Sequence, residues 1–179
     1  MSDKLKNAIQ DKALYDNYLS FRQKVPFNIV HFIRTYLPQI DLIESDLKEK
    51  GISGFIKEED DGKIYICVHK FDISNRKRFT IAHELGHYFL HKDEIKIGFV
   101  DGIGSSTMGR SDDWSTKEQE ANDFAAEILM PEREFIEIYD NFNGNLARVA
   151  SFFIVSEAAA YTRAKLLKLL NKEDLTYFY

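Results

Sequence analysis

The first half of the chain changes from a helical to an extended pattern of apolar residues. Between Asp3 and Gln23 apolar residues recur every three to five positions, which predicts one amphipathic N-terminal helix. A second helix is expected from Asn28 to Tyr36. Residues 52–57 and 63–70 are instead rich in β-branched and aromatic side chains, and an Asp-Asp-Gly turn separates them. This pattern predicts a β-hairpin.

The second half predicts helices separated by one long irregular segment. The helices are expected at residues 74–91, 116–130 and 131–139, and two more within 145–171 that are divided near Val155. Ser74 or Asn75 is the predicted N-cap of the first of them. Residues 92–113 are too rich in glycine for regular structure, so we predict a mobile loop there, above all at residues 98–109.

Together these elements predict an α+β fold that is mostly helical and contains a small antiparallel β-sheet. The length of 179 residues suits one compact domain. Within it we distinguish an N-terminal helix at 1–25, a core at 26–140 and a helical segment at 141–171. The strand at Ile64–Val68 is expected to have a free edge that could pair with an extended substrate.

Composition and charge exclude several classes of protein. Cys67 is the single cysteine, so an intrachain disulfide is excluded and a buried thiol is expected. The N-terminus lacks the apolar core of a signal peptide, and no later run is long enough to span a bilayer, so we expect a cytoplasmic protein without membrane contact. A net charge of −5 offers no general attraction to nucleic acid phosphates. Direct DNA binding is therefore not expected.

Residues 83–87 carry the pattern His-Glu-Leu-Gly-His, an H-E-x-x-H motif. On a helix, positions i and i+4 lie on one face about one turn apart, so His83 and His87 can bind a single zinc ion. The Glu84 carboxylate lies beside them. We predict that Glu84 is the general base, which takes a proton from the attacking water and passes it to the leaving amine.

His91 is a candidate for a third ligand that helix geometry rejects. Catalytic zinc normally has three protein ligands, so one more is needed. His91 follows His83 by eight residues, a rise of about 12 Å on a straight helix, and the two side chains cannot converge on one ion. We expect His91 to cap the C-terminal end of the helix or to contact a metal ligand without binding the metal itself.

The predicted helix at 116–130 offers carboxylates for the third position. Glu118 and Asn122 share one face of it, and we favour Glu118 as the ligand, with the Asn122 amide orienting a ligand or the water. Glu120 is the alternative. Ser115-Thr-Lys-Glu118 also matches a capping box, in which Glu118 would fold back onto the helix N-terminus and be unavailable to a metal.

These two helices, Phe79–His91 and Glu118–Pro131, closely resemble the ImmA/IrrE family of metallo-endopeptidases in the residues of both motifs and in their order along the chain. The resemblance extends from about residue 25 to 170. It implies a zincin-like core in which His83, His87 and Glu118 bind one Zn²⁺, with Mn²⁺ as a substitute in vitro, and Glu84 is catalytic. It also implies an intracellular regulator that cleaves or otherwise inactivates a helix-turn-helix transcriptional repressor or antitoxin encoded nearby.

Residues 146–167 themselves resemble a helix-turn-helix unit. The polar side of their second helix bears Arg163, Lys165 and Lys168, but it lacks the cluster of Asn, Gln and Arg expected for reading bases. We expect the helical pair to pack against the peptidase core, where its surface could recognise a repressor. A competing hypothesis retains the fold but has the protein sequester the repressor, or act as the toxin-like component of a toxin–antitoxin pair, without cutting.

Overall fold

The structure is a computed structural model that describes residues 3–22, 25–48, 51–95, 99–102 and 112–170. Its α-helices are α1 (Asp3–Ala8), α2 (Lys12–Phe21), α3 (Ile29–Tyr36), α4 (Ser74–Leu90), α5 (Asp112–Leu129), α6 (Glu132–Asn141), α7 (Leu146–Phe153) and α8 (Glu157–Leu166). Its strands are β1 (Ile40–Ser45), β2 (Ile52–Glu58), β3 (Ile64–His69) and β4 (Phe99–Gly102). The predicted α+β class is confirmed.

The sheet has the strand order β1-β3-β2-β4 and is mixed. The predicted hairpin of β2 and β3 is confirmed, because these strands pair antiparallel. The prediction of a wholly antiparallel sheet was wrong, since β1 runs parallel to β3. The prediction of a free edge at Ile64–Val68 was also wrong. β3 is hydrogen-bonded on both sides and has no backbone groups left for a substrate strand.

The segment between α4 and α5 is more regular than its glycine content suggested. Residues 92–94 form a 3₁₀ turn. Phe99–Gly102 form β4, which pairs antiparallel with β2. The prediction of an irregular loop was wrong for these residues. Residues 96–98 and 103–111, which include most of the segment predicted to be mobile, lie outside the described residues.

The N-terminal segment forms two helices where one was predicted. Asp11 ends the continuity because its carboxylate caps α2, accepting a hydrogen bond of 2.9 Å from the Leu14 amide. The predicted cap of α4 was also wrong. That helix begins at Ser74 with Ile73 in the N-cap position and no side-chain hydrogen bond.

A continuous apolar core joins the first helix to the last. It includes side chains from α1, the sheet, α4, α5 and α8, with Leu5 at one end of the chain and Ala164 near the other. Cys67 is buried within strand β3, as predicted. Every residue of α4 from Thr80 to His87 is buried, so the polar residues of the motif lie inside the protein. Among the described residues, none of the helices has the length and apolar composition needed to cross a bilayer.

Candidate metal centre

The two histidines of α4 and one glutamate of α5 converge on a single point. The Nε2 atoms of His83 and His87 lie 3.0 Å apart. The Glu118 carboxylate faces both, with Oε2 at 3.3 Å from His83 Nε2 and Oε1 at 3.3 Å from His87 Nε2. One ligand atom from each residue lies within 4.8 Å of the other two, and this group could hold a metal ion.

The start of α5 explains why Glu118 is available. The helix begins at Asp112, three residues before Ser115, so Ser115 lies within the helix and not at its N-cap. The capping box that would have occupied Glu118 is therefore not formed. Glu120 points elsewhere and accepts a hydrogen bond of 3.0 Å from His91 Nε2. Of the two predicted candidates, the structure brings Glu118 to the histidine pair.

The charge state of these groups suits a cation. Burial raises the pKa of Glu118, but hydrogen bonds from His83 and His87 outweigh it and lower that pKa to about 2. Burial also lowers the pKa of His87 below its ordinary value, against the opposing effect of Glu118. At neutral pH the carboxylate is ionised and the His87 imidazole is neutral. Metal ligands must be in these protonation states.

A second layer of hydrogen bonds holds the far nitrogen of each imidazole. His83 Nδ1 lies 3.0 Å from the Asn122 amide oxygen, so Asn122 contacts a histidine as predicted. His87 Nδ1 lies 2.9 Å from His91 Nδ1. The His91 amide also bonds the His87 carbonyl at 2.9 Å and ends α4, so both roles predicted for His91 are observed. Such contacts orient metal ligands and fix their tautomers.

Glu84 lies between α4 and the sheet with no exposed surface. Strand β2 approaches it through Gly54. A Cβ atom at Gly54 would collide with the Thr80 methyl group, lie 2.8 Å from the Cys67 carbonyl oxygen and come within 3.6 Å of Glu84 Oε1. The sequence analysis missed this glycine. A glycine inside a strand is a known sign of close backbone approach and could have indicated it.

The helix-turn-helix-like pair α7–α8 is joined to the rest of the protein by two arginines, of which Arg163 is buried and Arg78 is half-buried. Arg163 donates to the Met130 carbonyl oxygen at 2.9 Å and pairs with Glu127. Arg78 donates to the carbonyl oxygens of Phe27 and Phe153, at 2.6 and 3.3 Å. The prediction that Arg163 lies on an exposed polar side was wrong, because its pairing with α5 buries it.

Comparison with known proteins places this geometry in context. The family model described as Peptidase_M78, IrrE N-terminal-like domain, matches residues 38–165. Among solved structures, a Mycobacterium tuberculosis transcriptional regulator is similar with a TM-score of 0.58 and 16% identity, a likeness of fold alone. The match covers 90% of this chain and 51% of the regulator, so this chain spans about half of that protein. A search among curated proteins found no match.

Proposed function

The chain belongs to the Peptidase_M78 family, a family of metallopeptidases, and from this premise we propose that it is a zinc-dependent endopeptidase that cuts a specific protein partner. One observation carries the proposal. Two imidazole nitrogens and a carboxylate converge within hydrogen-bonding distances, and a fully buried glutamate follows the first of these histidines in the same helix.

The spacing of the donor atoms supports zinc. Zinc–nitrogen bonds of about 2.0–2.1 Å at tetrahedral angles place two ligand atoms about 3.3 Å apart. The two histidine nitrogens lie 3.0 Å apart, and each lies 3.3 Å from an oxygen of Glu118, which is close to this spacing. Two imidazoles and a carboxylate also form a ligand set found in zinc peptidases, and three protein ligands leave a position open. A bound zinc ion would supply Lewis-acid activation of water and polarisation of the peptide carbonyl.

In this proposal Glu84 moves the proton. Its carboxylate accepts a proton from the attacking water and transfers it to the nitrogen of the cleaved peptide bond, which leaves as an amine. Burial excludes bulk water, so the proton passes between the reactants and the Glu84 carboxylate. Helix α4 holds Glu84 beside His83, and β2 packs closely against this part of the helix at Gly54.

The proposed substrate is a helix-turn-helix transcriptional repressor or antitoxin encoded nearby. The resemblance to the ImmA/IrrE family supports this choice, and the structural neighbour is itself called a transcriptional regulator. Direct action on DNA is less well supported. Arg163 is paired with Glu127 in the interior, which leaves Lys165 and Lys168 as the exposed cations among the three considered. Because the family resemblance implies an intracellular regulator, we also propose that the protein resides in the cytoplasm.

The test compares the parent protein with Glu84→Gln. Each is loaded with zinc and incubated with the helix-turn-helix protein encoded beside it, and products are separated by mass. The parent should release discrete fragments. The variant should bind zinc and unfold as the parent does but release none, because an amide keeps the shape of the side chain and cannot accept the proton.

Two other outcomes would count against the proposal. If the variant cuts as fast as the parent, Glu84 is not the base. If both proteins inactivate the repressor without producing fragments, sequestration is the function and the peptidase assignment is wrong.

A further inference from the structure

We propose that His91 and Glu120 form a positioning pair that orients His87 for metal binding, an inference that rests on the proposed function. His91 follows the end of α4, and Glu120 lies on α5 two residues after Glu118. The contacts run in one line, from His87 Nδ1 to His91 Nδ1 at 2.9 Å and from His91 Nε2 to Glu120 Oε2 at 3.0 Å.

The direction of these hydrogen bonds follows from the chemistry at their two ends. His87 Nε2 faces His83 and Glu118 and must present a lone pair to bind a metal, so the His87 proton resides on Nδ1. That N–H donates to His91 Nδ1. With its Nδ1 as the acceptor, His91 carries its own proton on Nε2 and donates it to the Glu120 carboxylate.

The pair therefore determines which nitrogen of His87 carries the proton. The orientation of His83 is fixed more directly, because its Nδ1 lies 3.0 Å from the Asn122 amide oxygen. For His87, a second histidine intervenes between the ligand and the carboxylate. The Glu120 carboxylate accepts the hydrogen bond from His91 Nε2, and His91 Nδ1 is then the atom that accepts from His87.

Burial predicts that the two members contribute unequally. The side chain of His91 is 5% exposed and that of Glu120 is 54% exposed. Water can replace the Glu120 oxygen at the surface but cannot readily enter beside His87. Loss of His91 should therefore affect metal binding more strongly than loss of Glu120.

The experiment measures zinc affinity by competition with a chromophoric chelator and records the unfolding temperature of each metal-free variant. His91→Phe removes the acceptor and should raise the zinc dissociation constant about 10- to 100-fold. His91→Asn offers an amide oxygen to His87 and should restore most of the affinity. Glu120→Ala should weaken binding by less than tenfold, and Gln119→Ala, an exposed neighbour on α5, should leave it unchanged.

A spectroscopic measurement separates positioning from simple packing. In the zinc-loaded parent, histidine side-chain ¹⁵N–¹H correlations should show the His87 proton on Nδ1 and the His91 proton on Nε2. A His91 proton on Nδ1, or unchanged zinc affinity in His91→Phe, would overturn the inference. An equal loss of affinity in His91→Phe and His91→Asn would do the same.

The outcomes distinguish this inference from the proposed function. A parent protein that binds zinc, responds to these variants as expected and yet cuts no protein would contradict the peptidase proposal and support the positioning pair. A parent that binds no zinc would overturn both.

Discussion

Gly86 determines how closely α5 can approach the metal-binding helix, and replacing it by alanine tests that spacing. A Cβ atom at this position would lie 3.0 Å from Ala121 Cα, 3.1 Å from Ala121 O and 3.2 Å from Phe124 Cβ. Carbon atoms pack best at about 3.5–4.0 Å, so α5 would have to retreat by about 0.5–1 Å. Two of the three contacts are backbone atoms, which a side-chain rotation cannot relieve.

Two effects compete in the stability of Gly86→Ala. Alanine is favoured over glycine inside a helix by about 0.8–1 kcal/mol. Overpacking a tight interior typically costs about 1–3 kcal/mol. We therefore expect metal-free protein to be unchanged or destabilised by up to about 2 kcal/mol. Metal binding should suffer more. Glu118 lies one turn before Ala121 on α5 and would move with it, whereas metal–ligand distances tolerate only about 0.2 Å.

The assay combines a chelator competition for zinc with denaturant unfolding of the metal-free protein. Gly86→Ala should weaken zinc binding at least tenfold. A loss of this size is typical when a residue that orients a metal ligand is replaced. Ala158→Gly is a matched control, because it makes the reverse exchange at an exposed position of α8, a helix that contributes no residue to the candidate metal centre. Because Ala158 lies in the first turn of α8, the exchange should lower stability by no more than about 1 kcal/mol and leave zinc affinity unchanged. Parental zinc affinity in Gly86→Ala would refute the argument that Gly86 sets the position of Glu118.

Three further variants test separate parts of the structure. Glu118→Ala should weaken zinc binding more than about 100-fold, which exceeds the loss expected for a residue that only orients a ligand. The chelator competition should show a much smaller loss for Glu120→Ala. Equal losses would contradict the ligand assignment. Arg163→Met should destabilise the chain by about 3–5 kcal/mol in denaturant unfolding, because it leaves the buried Glu127 carboxylate without its cation. Adding Glu127→Met should recover much of this stability, and no recovery would contradict the pairing. Gly54→Ala should cost about 1–3 kcal/mol in the same assay, and parental stability would show that β2 can move away from α4.

The sequence was sufficient for the parts of the site that depend on local geometry. His83 and His87 are four residues apart, and any helix places such residues on one face. Glu118 was identified with an alternative, because the sequence did not reveal where α5 begins. The helix starts at Asp112, and that start decided between a free carboxylate and a capping role.

The features that the sequence did not reveal depend on contacts between distant segments. In β1 only Ile40 is buried, so the alternation that identifies a half-buried strand is missing, and the strand forms through its pairing with β3. β4 lies in a glycine-rich segment and is likewise specified by its partner, β2. The N-terminal break was readable in principle, because Asp11 is a favoured N-cap residue.

The candidate metal centre depends on the distance between two helices more than on the motif itself. His83 and His87 belong to one helix, whose internal hydrogen bonds hold their separation constant even when the surrounding packing loosens. Glu118 arrives from α5, and its distance from the histidines depends on the packing between the two helices, which is tightest where Gly86 meets Ala121. A change that widens the α4–α5 interface therefore moves Glu118 away from the histidines before it disturbs their own separation. Metal affinity should consequently fall before the chain unfolds, and the α4–α5 interface is where regulation or mutation could most readily switch off the site.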